Sequence, residues 1–213
     1  ENGLCYQVNV TGTKNLVKAC EQTGKHFVHL STAYVFDGEK EEMYVETDKT
    51  NPIEWYGKTK ALAEEIIQAS RLDWTILRID QPFRKDSFEK IDTLHRILEG
   101  MKNHKLYPQF SDHYFGPTYI NDLAKIIDLV IRQKITGLYH ASSGESWTDF
   151  GFAKLIKETF KLEFPLQEGS LAEYLKTSNR PYQKNTALNI DRLKNLLDFK
   201  LKSVKEAIKE TNL

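Results

Sequence analysis

The 213-residue chain is 40% hydrophobic and holds three Trp, ten Tyr and eleven Phe, enough to bury a core of one large domain or one and a half, which excludes a disordered chain. Lys plus Arg and Asp plus Glu both number 30 and neither sign gathers into a long block, so the electrostatic footprint of a nucleic-acid or anionic-membrane partner is lacking. Cys5 and Cys20 show no CxxC or His spacing, which argues against a disulfide framework or a metal site, and no apolar run approaches the ~18 residues of a membrane span. The expectation is a soluble, reduced, cytoplasmic protein acting on a small ligand.

In chain order, residues 4–22 read as a helix ended by Gly24 as C-cap, and Phe27–Leu30 as a buried strand. The polar stretch Asp37–Pro52 reads as a surface loop, and its acidic residues as solvated rather than metal-binding. Trp55–Ser70 has helix formers with apolar spacing at Leu62, Ile66 and Ala69, and Trp74–Ile79 is a second strand. Beyond Ile79 the alternation loosens into a helix over 87–102 and a short strand over Leu106–Phe110. It resumes with a helix Asp122–Arg132 capped by Asp122 and a strand Gly137–Ala141. A helix Ser146–Phe160, with Thr148 as cap, and shorter helices near 170–176, 190–197 and 203–211 close the chain. Alternating strands and helices predict an α/β fold with a parallel sheet covered on both faces.

Tyr56 and Lys60 stand one helical turn apart, so both project from one face. An ammonium beside a phenol stabilises the phenolate and lowers its pKa from about 10 toward neutrality, which makes Tyr56 a candidate general acid/base. The plain alternative is an exposed contact between two common residue types. Ser31 and Thr32 follow the apolar strand at its C-terminal end, where open α/β sheets place ligands. Thr32 reads either as a substrate-facing hydroxyl or as an ordinary strand-end one. The six histidines show no ligand spacing.

The segments His29-Leu30-Ser31-Thr32-Ala33-Tyr34-Val35-Phe36-Asp37-Gly38 and Trp55-Tyr56-Gly57-Lys58-Thr59-Lys60-Ala61-Leu62-Ala63-Glu64 resemble the extended short-chain dehydrogenase/reductases, within these most closely the dTDP-4-dehydrorhamnose reductases. Both motifs keep that family's order and separation. Val8-Asn9-Val10, Phe115-Gly116-Pro117-Thr118, Gly137-Leu138-Tyr139-His140 and Arg180-Pro181 resemble further landmarks, so the likeness runs over nearly the whole chain.

The resemblance implies a Rossmann-like dinucleotide-binding part over 1–80 and 117–142 and a smaller substrate-binding part over 81–116 and 143–213. It implies reduction of a 4-keto sugar nucleotide by NADPH or NADH, with Thr32, Tyr56 and Lys60 catalytic. Tyr56, Lys60, Ser31 and Ile79 would meet the cofactor, and Thr32, Ala33, Gln81 and Arg180 the substrate. Asn9 would be a structural or proton-relay residue. A homodimer is compatible with it, as are two alternatives: a nucleotide-sugar 4-epimerase or dehydratase, and a non-catalytic reductase-like regulatory subunit. Ala33 stands where the family has Asp, and Gln81 where an aromatic residue is common. The glycines form no GxGxxG or GxxGxxG loop, so the sequence reads as a piece of a longer protein lacking the upstream phosphate-binding strands, with little cofactor affinity of its own.

Overall fold

The computed structural model describes residues 2–211; residues 1, 212 and 213, at the outer limits of the two sequence-assigned parts, lie outside the described residues. Strands β1 (Phe27–Thr32), β2 (Trp74–Ile79) and β7 (Gly137–His140) form an all-parallel sheet in the order β1-β2-β7, with β1 at one edge. β2 lies in the middle with both faces covered, so its interior residues Thr75–Arg78 are all buried, the polar Thr75 and Arg78 included. Ile76 packs with Val17 and Ile67 on one side; Leu77 packs with Leu123, Ile126 and Val130 on the other. The expected α/β sheet with helices on both faces is therefore present.

The helices on the Ile76 face come from two segments. The first is a continuous helical run, α1 (Asn2–Tyr6), a π-helical stretch Gln7–Thr11 and α2 (Gly12–Thr23), ended as expected by Gly24 in the left-handed conformation. The second is α3 (Trp55–Gln68), whose first turn is capped by the Glu54 carboxylate, accepting from the amides of Tyr56 and Gly57. The opposite face is covered by α5 (Ile120–Gln133). The predicted cap of that helix is corrected: Tyr119 takes the cap position without a side-chain bond. Asp122 sits inside the first turn and accepts from Lys125 Nζ and the Lys202 amide instead.

A second core gathers most of the remaining elements. β3 (Pro82–Phe83), α4 (Thr93–Lys102), β4 (Gln109–Phe110), β5 (Tyr114–Phe115), β6 (Thr118–Tyr119), β8 (Trp147–Thr148), α6 (Asp149–Phe160), β9 (Glu168–Gly169), α7 (Leu171–Leu175), α8 (Asp191–Lys194) and α9 (Val204–Lys209) complete the order. Phe83, Leu94, Ile97, Phe115, Phe152, Ile156, Val204 and Ile208 bury one another there. α4 begins at Thr93 rather than 87, because Asp92 caps it by accepting from the His95 amide. The Thr148 cap of α6 is as expected, and Ser203 with Glu206 closes a capping box on α9. Paired strands such as β3 with β6 fix this region to the end of β2.

Candidate active site

Strand β1 runs two residues further than its apolar core suggests, so Ser31 and Thr32 are its last residues. The chain then turns sharply through Ala33–Val35, where the Thr32 hydroxyl accepts from the Tyr34 amide. α3 crosses this turn at very short range. A Cβ on Gly57 would lie 2.1 Å from the Tyr34 carbonyl oxygen, so only glycine lets the first turn of α3 settle there. That approach delivers Tyr56 to the end of β1.

Thr32, Tyr34, Tyr56, Ser31, Ile79, Asp80 and Gln81 line one cavity of about 240 Å³ at the C-terminal ends of β1 and β2. Tyr34 and Tyr56 meet edge to face, with ring centroids 6.3 Å apart. Partial burial of the Tyr56 phenol raises its pKa, the Glu54 carboxylate adds to this, and the neighbouring Thr32 hydroxyl pulls the other way. The expectation that Lys60 lowers this pKa is corrected: the Lys60 ammonium is turned toward β1, donating to the Leu30 carbonyl at 2.6 Å and lying 3.1 Å from His29 Nε2. Lys60 is buried, which lowers its own pKa, while Glu64 one turn on opposes that shift.

The predicted site residues divide accordingly. Thr32, Tyr56, Ser31, Ile79 and Gln81 share the cavity, and Lys60 lies behind its wall. Ala33 does not line it; its side chain is fully buried with Val35, Phe36, Tyr44, Ala61 and Leu188. Arg180 borders a separate cavity of about 160 Å³ with Glu54, Tyr182 and Gln183, and Tyr34 lines both. Asn9 sits in the π-helical stretch and donates to Thr59 Oγ1 at 3.0 Å, bracing α3.

Asp80, which sequence reasoning passed over, is a wholly buried carboxylate. It accepts from the Gly116 amide at 2.8 Å and the Thr186 hydroxyl at 2.7 Å, yet burial still pushes its pKa up to about 7. Glu64 and Arg78 form a buried bidentate pair, with Arg78 Nε and Nη2 donating at 2.9 and 2.6 Å, and so clamp α3 to β2. One signal for that pair was available: an Arg inside an apolar strand and a Glu on the inward face of a helix both demand a partner.

Comparison with known proteins places these features in a wider set. The model of the RmlD substrate binding domain matches residues 1–212. The spore coat polysaccharide biosynthesis protein SpsK of Bacillus subtilis is 30% identical over 83% of this chain, and the chain spans 61% of its length. A dTDP-4-dehydrorhamnose reductase of Aggregatibacter actinomycetemcomitans is 30% identical over 98% of this chain and 74% of its own. The structure of a dTDP-4-dehydrorhamnose reductase from Bacillus anthracis in complex with NADP superposes with a TM-score of 0.87 at 25% identity, covering 98% of this chain and 73% of that one.

Proposed function

The chain belongs to the RmlD substrate binding domain family, and from that membership together with the cavity geometry we propose that it carries the catalytic residues of a nicotinamide-dependent reductase of 4-keto sugar nucleotides. The observation that carries this reading is the meeting of Thr32 and Tyr56 on the wall of one cavity, with the Lys60 ammonium behind it.

The residues fit a nicotinamide cofactor in one testable respect: Ser31 Oγ is buried at the cavity wall without a hydrogen-bond partner, and a buried hydroxyl in that state calls for a polar ligand atom. Ser31, Tyr56, Lys60 and Ile79 would hold it. When bound in its reduced form, the cofactor supplies the hydride.

The rest of the chemistry belongs to the side chains. A phenol with a raised pKa is protonated at neutral pH, so Tyr56 is set to donate a proton to an oxygen that becomes an alkoxide. The Thr32 hydroxyl orients the same oxygen, and the buried Lys60 charge favours negative charge developing nearby. Arg180 on the adjoining cavity offers a planar fork suited to a diphosphate, so the sugar would lie by Tyr56 and the nucleotide beyond Tyr34.

The test is net oxidation of added NADPH or NADH by the full-length gene product in the presence of a dTDP-4-keto sugar, with Tyr56→Phe alongside. Turnover lost in the variant supports the reading. Interconversion of sugars without net cofactor oxidation points to an epimerase, and no reaction with bound sugar nucleotide points to a non-catalytic subunit.

A further inference from the structure

Among the described residues, four that are not glycine adopt positive φ. Lys134 and Lys161 terminate α5 and α6, and His104 follows the end of α4, so each of these has an ordinary helix-ending explanation. Gln81, at φ 35°, ends no helix; it follows β2 directly and forms part of the cavity wall. A left-handed glutamine persists only where its surroundings over-determine it.

Those surroundings centre on the preceding residue. The Gln81 amide faces the Asp80 carboxylate, and its carbonyl accepts from the Thr118 amide at 3.4 Å. Asp80 is anchored in turn through Gly116 N, Thr186 Oγ1 and a two-way bond of its backbone with the Thr118 hydroxyl, which accepts from its amide at 3.1 Å and donates to its carbonyl at 2.7 Å. With the peptide so fixed, the Gln81 side chain spans the cavity rim. Its Oε1 accepts from Thr93 Oγ1 at 2.7 Å and its Nε2 donates to the Tyr34 hydroxyl at 3.4 Å. Tyr34 is the ring on which Tyr56 stands edge-on.

We propose that Asp80 is a positioning residue of the reactive cavity: it holds Gln81 in its left-handed turn, so that the Gln81 amide steadies Tyr34 and, through that ring, the proton-donating Tyr56. The proposal rests on the reductase reading for its kinetic consequence, but not for the contacts themselves. It gives the buried carboxylate a task beyond packing, because its donors Gly116 and Thr186 come from two segments distant in sequence and converge on one wall of the site.

The test pairs Asp80→Asn with Gln81→Leu in the full-length protein. Each is expected to lower kcat about 10-fold or more with KM for the sugar nucleotide little changed, since misplacement of the proton donor acts on the chemical step. The double variant should be no worse than the poorer single one. Ring resonances of Tyr34 and Tyr56, followed by NMR with 13C-tyrosine, should shift in both variants without any substrate present. Additive kinetic losses, or Tyr56 signals identical to those of the unaltered protein, overturn the proposal. Should Asp80→Asn fail to fold, the half-buried Gln81 supplies the same readouts. Absence of turnover in the unaltered protein strikes the reductase reading instead, and the NMR arm then decides the inference by itself.

Discussion

Lys60 Nζ stands 3.1 Å from His29 Nε2, so the cation of α3 is shared with a side chain of β1 as well as with the Leu30 carbonyl. The contact requires an unprotonated ring nitrogen. Burial and the Lys60 charge together push the His29 pKa down to about 4, which keeps the imidazole neutral through the physiological range. NMR titration of the His29 ring should therefore show no protonation between about pH 5 and 8, against an ordinary midpoint near 6.5. A midpoint at the ordinary value would mean that the ammonium sits elsewhere.

Removal of the phenolic hydroxyl in Tyr56→Phe should cut turnover by roughly 10²–10⁴-fold, the usual worth of a positioned proton donor, with the denaturation midpoint unaltered because the ring is partly exposed. Thr32→Val is expected to act on both counts. It removes the hydroxyl beside Tyr56 and also the acceptor of the Tyr34 amide, at a stability cost of about 1 kcal/mol. Thr32→Ser, which restores both groups, should recover most of the rate; a serine variant as poor as valine would deny the hydroxyl its role.

How far the sequence exposed this site depends on the range of the forces involved. The placement of Thr32 at the end of β1, and of Tyr56 and Lys60 one turn apart on α3, was legible, because strand ends and helix spacing are local geometry. Gly57 was legible only as part of a motif; that it allows α3 to touch the Tyr34 carbonyl is a tertiary fact. The orientation of Lys60 toward His29 could not be read, since it depends on how α3 lies across β1. Asp80 looked like one more polar residue after a strand, and its donors Gly116 and Thr186 are distant in sequence. Gln81 carried no sign of a left-handed backbone, because tertiary contacts rather than propensity impose it.

The close approach at Gly57 makes Gly57→Ala a strong probe. The added methyl meets a backbone oxygen, which cannot swing aside as a side-chain tip can, so α3 must shift away from the Ala33–Val35 turn. Overpacking of this kind costs about 1–3 kcal/mol, and displacement of Tyr56 should lower turnover about 10-fold or more. Urea denaturation and steady-state rates on the same preparation check both; normal rates in a stable variant would show that the helix tolerates the shift.

Glu64 and Arg78 are buried together, the acid at 2% and the guanidinium at 3% side-chain exposure, and Arg78 also lies over the Phe36 ring at 5.0 Å. Glu64→Ala leaves the guanidinium without its counter-charge in a dry interior, a change expected to cost about 3–5 kcal/mol. Replacement of both by leucine should cost much less, because no orphaned charge remains. Equal losses for the single and double variants in equilibrium denaturation would show that shape, not charge, decides the site.

His140 makes stability depend on pH in a predictable direction. Its ring is fully buried, Nδ1 donates to the carbonyls of Tyr44 and Asn189, and Nε2 lies 3.5 Å from Arg78 Nη1. Burial first, and the Arg78 charge second, push its pKa down to about 3. The unfolded chain takes up a proton near pH 6.5 that the folded one refuses, so the contribution is complete above 6.5 and is lost as pH falls from there toward 3. From pH 7 to pH 5 this single group should remove about 2 kcal/mol of stability. His140→Gln, which keeps a donor for the two carbonyls, is destabilised at neutral pH yet should lose about 2 kcal/mol less than the unaltered protein over the same interval. His29, with its depressed pKa, pulls in the same direction and remains in both proteins, so the difference between the two slopes isolates His140. Parallel urea titrations at the two pH values give that difference directly, and identical slopes would mean that His140 takes up its proton in the folded state.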